Sequence, residues 1–201
     1  MTPPPRLLLA SASSARLALL QAAGLTIEAR PAAIDEGEIK RSSRAEGVSA
    51  EDTAVLLAEL KALRVAGAAP DALVIGADQL LVCGERWFDK PTSIAEARSH
   101  LQSLRGQTHI LVTAVVVYRG DMRVWHHVAK PRLTMRMFGD PFLDDYLARE
   151  GAHVLTTVGG FRIEGPGVQL FDSVVGDHSA ILGLPLLPLL GFLRQTGVLL
   201  T

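Results

Sequence analysis

An unbroken apolar run at residues 74–82, Val-Ile-Gly-Ala-Asp-Gln-Leu-Leu-Val, contains a single ionisable side chain, Asp78. Its length and aliphatic composition predict a strand buried on both faces, which is typical of a sheet covered by helices. A carboxylate in such a strand is costly unless a cation, a metal ion or hydrogen bonds compensate it. The small residues Gly76 and Ala77 leave room for a ligand. The run therefore predicts either a functional carboxylate or a structural ion pair at Asp78.

Composition and charge limit the classes of function. The chain has 201 residues and a formal net charge of −1, which suits one domain with a sizeable core and argues against a nucleic-acid-coating or polybasic membrane protein. The single Cys83 excludes an internal disulfide framework. The apolar runs at 7–10 and 180–193 are too short for a signal peptide and a membrane span, respectively. We therefore expect one cytoplasmic domain covering residues 1–201.

Short strands alternate with helices along the chain, which is typical of an α/β fold. The predicted strands cover residues 7–10, 26–30, 74–82, 86–88, 109–117, 122–128, 132–137 and 168–174. The predicted helices cover residues 15–23, 49–66, 93–105 and 140–150, and a last one ends near residue 195. The polar stretch at 40–47 is predicted to be a mobile connection.

A turn of small residues separates the first strand from the first helix and contains Ser11 and Ser13, with Arg16 in the following helical turn. The first N–H groups of a helix lack intrahelical partners and the helix dipole favours negative charge, so this turn can bind an anion. The hydroxyls and the guanidinium would add donors. Ordinary N-capping by Ser13 or Ser14, with Arg16 on the surface, is the favoured alternative.

Three carboxylates occur close together at Asp35, Glu36 and Glu38. Hard divalent cations prefer such oxygen ligands. A solvated acidic loop is the more common explanation.

Lys61 is a candidate phosphate-binding cation on the long helix that Ser49 caps. The apolar side of this helix is predicted to consist of Val55, Leu56, Leu60 and Leu63. Lys61 lies one position from that stripe, where its side chain can extend toward a cleft or toward water.

Lys90 is a second candidate cation, at the end of a short strand. Pro91 favours an extended backbone at Lys90, and a helix capped by Ser93 begins directly afterwards. This position suits a phosphate. A salt bridge to Asp89 or Glu85 explains Lys90 equally well.

The segment 156–167 is rich in glycine and contains Glu164. Glycines permit unusual dihedral angles and close backbone approach. The histidines at 100, 126, 127 and 153 lack metal-ligand spacing with each other or with Cys83, so we interpret them as structural.

Together these motifs resemble those of the Maf-like nucleoside triphosphate pyrophosphatases (septum formation protein Maf family). The matching pieces are residues 9–13 with Arg16, 34–36, 61–62, 76–79, 90–91, 106–109 with Thr113, 164–165 and 183–185. Each piece is weak alone, but their order and spacing over almost the whole chain are specific.

The resemblance implies an α/β fold with a mixed, strongly bent central sheet flanked by helices, and a cleft between two lobes, as in Maf and ITPase-like proteins. It implies hydrolysis of a nucleoside triphosphate to the monophosphate and pyrophosphate with a divalent cation, Mg²⁺ or Mn²⁺. This activity would clear non-canonical or modified nucleotides and be linked to cell-division arrest. The expected partner is the nucleotide, without nucleic acid or membrane, and a homodimer is left open.

The resemblance also implies roles for individual residues. Asp78 matches the family's catalytic proton acceptor, and the sequence leaves open whether it takes the proton of a water or holds the metal. Glu36 matches an acidic position near the metal, so Glu36 and Asp78 are the expected metal ligands. The expected substrate-binding residues are Ser11, Ser13, Arg16, Lys61, Lys90 and Glu164.

The chain departs from the family pattern at three places. Residues 13–16 are Ser-Ser-Ala-Arg instead of Ser-Pro-Arg-Arg, Leu56 replaces a common Arg, and residues 156–159 are Thr-Thr-Val-Gly instead of Asp-Lys-Ala-Gly. These losses favour the alternative of a non-catalytic nucleotide-sensing or division-regulating binding protein on the same fold. Retention of Asp78, Lys61 and Lys90 favours the enzyme. A P-loop motif is absent from the sequence, which argues against a motor-type ATPase.

The base preference is predicted from Glu164-Gly165 and Gln79. These residues resemble the family branch that favours 7-methyl-GTP, whereas the branch that favours dTTP and UTP commonly has Gln-Gly. A carboxylate only accepts hydrogen bonds, so it suits the N1–H and 2-amino donors of guanine and the positive charge of a methylated guanine. We therefore expect Glu164 to favour guanine-type bases.

Overall fold

The computed structural model describes residues 5–200, which separate into two compact units. Unit 1 contains the described residues up to Asp78, Thr113–Ala129 and the residues from Leu182 onward. Unit 2 contains Gln79–Val112 and Lys130–Ile181. The single domain expected for residues 1–201 stays a prediction.

The strands form one mixed sheet. They are β1 (Leu7–Leu9), β2 (Ile27–Ala29), β3 (Leu73–Cys83), β4 (Arg86–Phe88), β5 (Thr108–Arg119), β6 (Met122–Ala129), β7 (Arg132–Met135) and β8 (Phe171–Val175). The order is β2-β1-β3-β5-β7-β8, with β4 paired to β3 and β6 paired to β5. β1 is parallel to β2 and β3, whereas β4, β6, β7 and β8 pair with their neighbours in the antiparallel direction.

This arrangement confirms the expected α/β class with a mixed sheet flanked by helices. The expected strong bend is wrong, because the sheet is not strongly curled. Bulges bend strands locally, and register irregularities occur in the β5–β6 and β7–β8 pairings, while β1 pairs regularly with both of its neighbours.

The helices agree with most of the predicted boundaries. They are α1 (Ser14–Ala22), α2 (Glu36–Ala45), α3 (Ala50–Ala66), α4 (Ile94–Leu104), α5 (Asp140–Glu150), α6 (His178–Ile181) and α7 (Leu186–Gln195). The glycine-rich segment consists mainly of short 3₁₀ turns at Gly151–Thr156, Val158–Gly160 and Pro166–Leu170, so β8 begins three residues later than predicted. Within residues 5–200, none of the helices has the length and apolar character needed to cross a membrane.

Helix α2 replaces the mobile connection predicted at residues 40–47. Its N-cap Asp35 accepts a hydrogen bond from the N–H of Glu38, and Glu36 and Glu38 lie in the first turn, where the helix dipole favours carboxylates. The buried residues of this helix are Lys40 and Ser43. The prediction was wrong because the buried residues of this helix are polar, so an apolar pattern does not mark its inner face.

Helix α3 buries a different face from the predicted one. Leu56 and Leu63 are 39% and 37% exposed. The buried residues are Thr53, Ala54, Leu57, Ala58, Lys61, Ala62, Val65 and Ala66. Alanine side chains let this helix pack closely on β3, so the small residues rather than the larger ones face inward. Lys61 therefore lies within the buried face and not beside it.

The core of unit 1 is formed by β1, β3 and β5 together with α1 and α7. Leu9, Ile75 and Val115 are fully buried in the strands, and they belong to the same apolar cluster as Leu20 and Leu189 of the helices. Each such side chain contributes about 1.5–3 kcal/mol on burial. This core includes the part of β3 that precedes Asp78.

Unit 2 contains an aromatic cluster around His109. The imidazole is fully buried, 5.4 Å from the Phe161 ring and 5.9 Å from the Phe171 ring between centroids. Neither ring nitrogen has a hydrogen-bond partner among the described residues. Burial lowers the pKa of His109 to about 4, so the ring is neutral at physiological pH.

Candidate active site

Asp78 and Lys61 form a buried ion pair in unit 1. Lys61 Nζ lies 2.5 Å from Asp78 Oδ1 and 2.6 Å from Glu36 Oε1. Asp78 and Lys61 are 3% and 7% exposed, whereas the side chain of Glu36 is 41% exposed. The ammonium group therefore connects a carboxylate in the interior to a carboxylate that solvent reaches.

Gly76 brings Lys61 to Asp78. A Cβ at Gly76 would lie 2.2 Å from the carbonyl oxygen of Ala58 and 2.9 Å from the Cβ of Ala62. The glycine is thus required for the close packing of α3 on β3. The sequence suggested that this glycine makes room for a ligand, but in the structure the helix fills the space.

The second carboxylate oxygen of Asp78 has no hydrogen-bond partner among residues 5–200, although it is buried. An unsatisfied buried acceptor is unfavourable in a resting protein. Asp78 Oδ2 is therefore in a position to accept a proton from a bound water or to contact a cation.

Glu36 and Asp78 offer oxygen ligands of the kind that the expected divalent metal prefers, and the ammonium group of Lys61 lies between them. Two carboxylates are hard ligands, and Mg²⁺ usually completes its coordination shell with waters and substrate phosphates. The unpartnered Oδ2 of Asp78 is a suitable ligand atom. In the described part of the chain, three or more His, Cys, Asp or Glu side chains do not meet as a metal cluster. A metal held here would thus depend on water and substrate for its other ligands.

Arg16 joins the serine turn to β3. Its Nη1 donates to the carbonyl of Ala77 at 2.9 Å and to Ser11 Oγ at 3.3 Å, and its Nε donates to the carbonyl of Gly183 at 2.8 Å. Ser13 Oγ accepts from the N–H of Arg16 at 3.3 Å, which confirms Ser13 as the N-cap of α1. The expected alternative of a surface Arg16 is wrong, because these bonds hold the guanidinium half-buried.

The guanidinium of Arg16 interacts electrostatically with the carboxylates that contact Lys61. Burial lowers the pKa of Arg16, and the negative charges of Asp78 and Glu36 oppose that change. Gly183 has a φ of +101°, and a Cβ there would lie 3.2 Å from Arg16 Nε. Glycine at this position therefore allows Arg16 to reach the carbonyl.

An open depression borders the exposed carboxylate. It has a volume of about 690 Å³ and is lined by Ala33, Ile34, Asp35 and Glu36. Solvent reaches Glu36 from this side.

Unit 2 contains the remaining predicted residues. Lys90 is exposed in the connection between β4 and α4. The N–H of Gly159 donates to the carbonyl of Asp89 at 3.2 Å, so the glycine-rich segment lies beside this connection. Gln79 Nε2 donates to the carbonyls of Ala180 and Ile181. Gln79 thus has a structural role within unit 2.

Three residues that the sequence did not single out form a cluster with Glu164, and Arg162 contacts each of the others. Arg162 Nε donates to Glu164 Oε1 at 3.2 Å, and Arg162 Nη1 donates to Glu150 Oε2 at 3.1 Å. The hydroxyl of Tyr146 accepts from the N–H of Arg162 at 3.3 Å. The basic residue inside a glycine-rich segment was the one signal that could have indicated this cluster.

The structure assembles six of the eight predicted site residues in unit 1, namely Ser11, Ser13, Arg16, Glu36, Lys61 and Asp78. Lys90 and Glu164 belong to unit 2. Their roles in catalysis and binding stay predictions.

The fold and this charge cluster define an α/β protein with a buried carboxylate at the centre of its sheet. The family model described as "Maf-like protein" matches residues 6–196, and the chain belongs to this family.

Two relatives and one solved structure illustrate the relationship. The chain is 56% identical to "Nucleoside triphosphate pyrophosphatase" of Granulibacter bethesdensis over 94% of this chain and 96% of that protein. It is 49% identical to "7-methyl-GTP pyrophosphatase" of Rhizobium meliloti over 97% and 98% of the two chains. A dITP/XTP pyrophosphatase from Mycobacterium abscessus has a TM-score of 0.38 at 14% identity over 75% of this chain and 96% of that chain, which is too distant to define the fold.

Proposed function

We propose that this protein is a hydrolase that converts a nucleoside triphosphate to its monophosphate and pyrophosphate. The observation that carries the proposal is the buried Asp78–Lys61 pair, in which one carboxylate oxygen is held by the ammonium group and the other is unpartnered. The names of the relatives at 56% and 49% identity support the same reaction.

Asp78 acts as the proton acceptor in this proposal. Lys61 contacts Oδ1 at 2.5 Å, which holds the carboxylate in one orientation. Oδ2 then accepts a hydrogen bond from the attacking water and takes its proton as the bond to phosphorus forms.

The divalent cation belongs to the proposal as well, with Glu36 as a ligand and with Asp78 as a second ligand in the alternative in which it does not take the proton itself. A bound Mg²⁺ or Mn²⁺ would neutralise phosphate charge and lower the pKa of a coordinated water. Glu36 lies at the exposed side of the pair, where a hydrated cation can arrive together with the nucleotide.

The phosphates are bound by the turn before α1 and by the lysines. Ser13 caps one N–H of α1, and the other N–H groups of the first turn remain outside the hydrogen bonds of the helix. Arg16 and Lys61 add positive charge in unit 1, and Lys90 adds it in unit 2. Such charges stabilise the transition state of phosphoryl transfer. We propose from the family membership that the reaction takes place in the cytoplasm and clears modified nucleotides.

The test is a direct product assay. The purified protein is incubated with Mg²⁺ or Mn²⁺ and a panel of nucleoside triphosphates, including UTP, dTTP, GTP and 7-methyl-GTP, and both pyrophosphate and orthophosphate are quantified. We expect pyrophosphate and the monophosphate in equal amounts. Release of orthophosphate alone would contradict the proposal. Tight nucleotide binding without turnover would instead favour the nucleotide-sensing alternative.

A further inference from the structure

The glycine-rich segment of unit 2 carries a polar cluster with one buried and one exposed end. Glu150, at the end of α5, is 4% exposed, whereas the side chain of Glu164 is 37% exposed. Arg162 contacts both carboxylates, with 3.1 Å to Glu150 Oε2 and 3.2 Å to Glu164 Oε1. The guanidinium therefore links a fixed carboxylate in the interior to one that a ligand can reach.

We propose that Arg162 is a positioning residue that fixes the direction of the Glu164 carboxylate and thereby sets the nucleobase preference. The inference rests on the proposed function and on the expectation from the sequence that Glu164 contacts the base. It assigns the control of that contact to a residue that touches neither the base nor the phosphates.

The backbone at Arg162 is held independently of its side chain. The Tyr146 hydroxyl donates to the carbonyl of Gly160 at 3.2 Å and accepts from the N–H of Arg162 at 3.3 Å. A Cβ at Gly167 would lie 2.3 Å from the carbonyl oxygen of Arg162, so the segment turns back closely on itself there. Removing the Arg162 side chain therefore frees Glu164 while these backbone contacts persist.

Glu150 holds the guanidinium of Arg162 in one position. A Cβ at Gly165 would lie 2.9 Å from Glu150 Oε1, so the backbone next to Glu164 is packed against the same buried carboxylate. A buried carboxylate needs a charged partner. Arg162 supplies that partner with a planar fork whose separate N–H groups serve two acceptors at once.

The charges of the cluster predict which bases it favours. Two carboxylates and one guanidinium leave a net charge of −1 beside the exposed end. Oriented carboxylate oxygens accept hydrogen bonds from the N1–H and 2-amino groups of guanine, and they attract the positive charge of a 7-methylated guanine. The carbonyl oxygens of uracil find no donor on Glu164. A preference of roughly threefold to tenfold corresponds to about 0.7–1.4 kcal/mol, which is within the range expected for holding one side chain in place.

The experiment compares Arg162→Ala and Arg162→Lys with the wild-type protein in kcat/KM for 7-methyl-GTP and UTP. We expect the 7-methyl-GTP/UTP ratio to fall roughly threefold to tenfold in Arg162→Ala, through KM for 7-methyl-GTP, with kcat changed less than about twofold. Arg162→Lys restores part of the ratio because an ammonium group still reaches one carboxylate. The matched control is Arg149→Ala, which removes an exposed arginine of α5 and leaves the ratio unchanged.

An unchanged ratio in a folded Arg162→Ala variant overturns the inference. If that variant does not fold, Arg162→Lys and Glu150→Gln take its place. An unchanged 7-methyl-GTP/UTP ratio in both of them also overturns the inference. A wild-type protein that releases no pyrophosphate defeats the proposed function separately. In that case calorimetric titration with 7-methyl-GMP and UMP tests the inference, and equal affinity ratios with and without the Arg162 side chain overturn it.

Discussion

The two units of this protein hold their charged side chains in different ways. In unit 1, Lys61 and Asp78 are both buried, on a helix and a strand that pack in direct contact at Gly76. In unit 2, Lys90 lies exposed in a connection, and Glu164 lies in a segment of short 3₁₀ turns. The charges of unit 1 are fixed by the core, whereas those of unit 2 are fixed by a few hydrogen bonds.

This difference matches the division of tasks in the proposed function. A group that accepts a proton must be held in one geometry, which favours rigid secondary structure. A group that selects among substrates can lie on a loop, where substitutions cost little stability. In that proposal, the residues of unit 1 would carry out the chemistry, and Glu164 of unit 2 would adjust base recognition.

The largest expected effect on stability is that of breaking the buried pair. Lys61→Ala leaves Asp78 as an uncompensated buried carboxylate, so we expect the free energy of unfolding to fall by about 3–5 kcal/mol. Denaturant unfolding measures this change. Arg64→Ala, which removes an exposed charge from the same helix, is the control and changes stability by less than about 0.5 kcal/mol. Equal effects of the two substitutions would show that the pair contributes no more than a surface charge.

A second prediction concerns His109 in unit 2. Its pKa is lowered from 6.5 to about 4 by burial, so the unfolded chain binds a proton at a higher pH than the folded one. The contribution of neutral His109 to the free energy of unfolding is complete above pH 6.5 and is lost as the pH falls to about 4. The total loss is about 3 kcal/mol. The measurement is the unfolding free energy at several pH values for the wild type and His109→Phe. If the two pH profiles have the same slope in this interval, His109 is not the group responsible.

The third prediction tests the close packing of unit 1. Gly76→Ala places a methyl group against the carbonyl of Ala58, so α3 has to shift and stability falls by about 1–3 kcal/mol, with a loss of activity because Lys61 moves with the helix. The matched control is Gly191→Ala in α7, where a Cβ meets nothing within 4 Å. That substitution raises stability by about 0.5–1 kcal/mol. A neutral Gly76→Ala would contradict the packing argument.

The smallest effect on stability is expected for Lys90 in unit 2. Because Lys90 is exposed, Lys90→Ala changes the free energy of unfolding by less than about 0.5 kcal/mol. It weakens binding of the triphosphate more than binding of the monophosphate product, since the lost charge acts on the outer phosphates. Calorimetric titration with a non-hydrolysable triphosphate and with the monophosphate compares the two losses. Equal losses would show that Lys90 does not act on the outer phosphates.

The sequence predicted most strands and the buried position of Asp78, because a long apolar run with one carboxylate is a strong signal. The leucine pattern predicts Lys61 beside the buried face of α3, whereas alanines form much of that face and Lys61 lies within it. The sequence likewise does not show that Gly76 makes room for α3 and not for a ligand.

Other features lay outside the reach of sequence patterns. The pairing of Lys61 with Asp78 joins residues 17 positions apart on different elements. Helix α2 has a polar composition and buries polar residues, so the pattern of large apolar residues that indicates other helices is missing there. Arg162 contacts Glu150 across 12 positions, and only the packed segment brings them together. Such contacts depend on tertiary structure.

The most direct test of the central claim is the turnover of Asp78→Asn. The substitution keeps the shape of the side chain but removes the charge and the ability of Oδ2 to take a proton. We expect pyrophosphate release to fall by ~10²-fold or more, while the protein stays folded and calorimetry still detects nucleotide binding. Wild-type turnover in a folded Asp78→Asn protein would contradict the assignment of Asp78 as the reacting carboxylate.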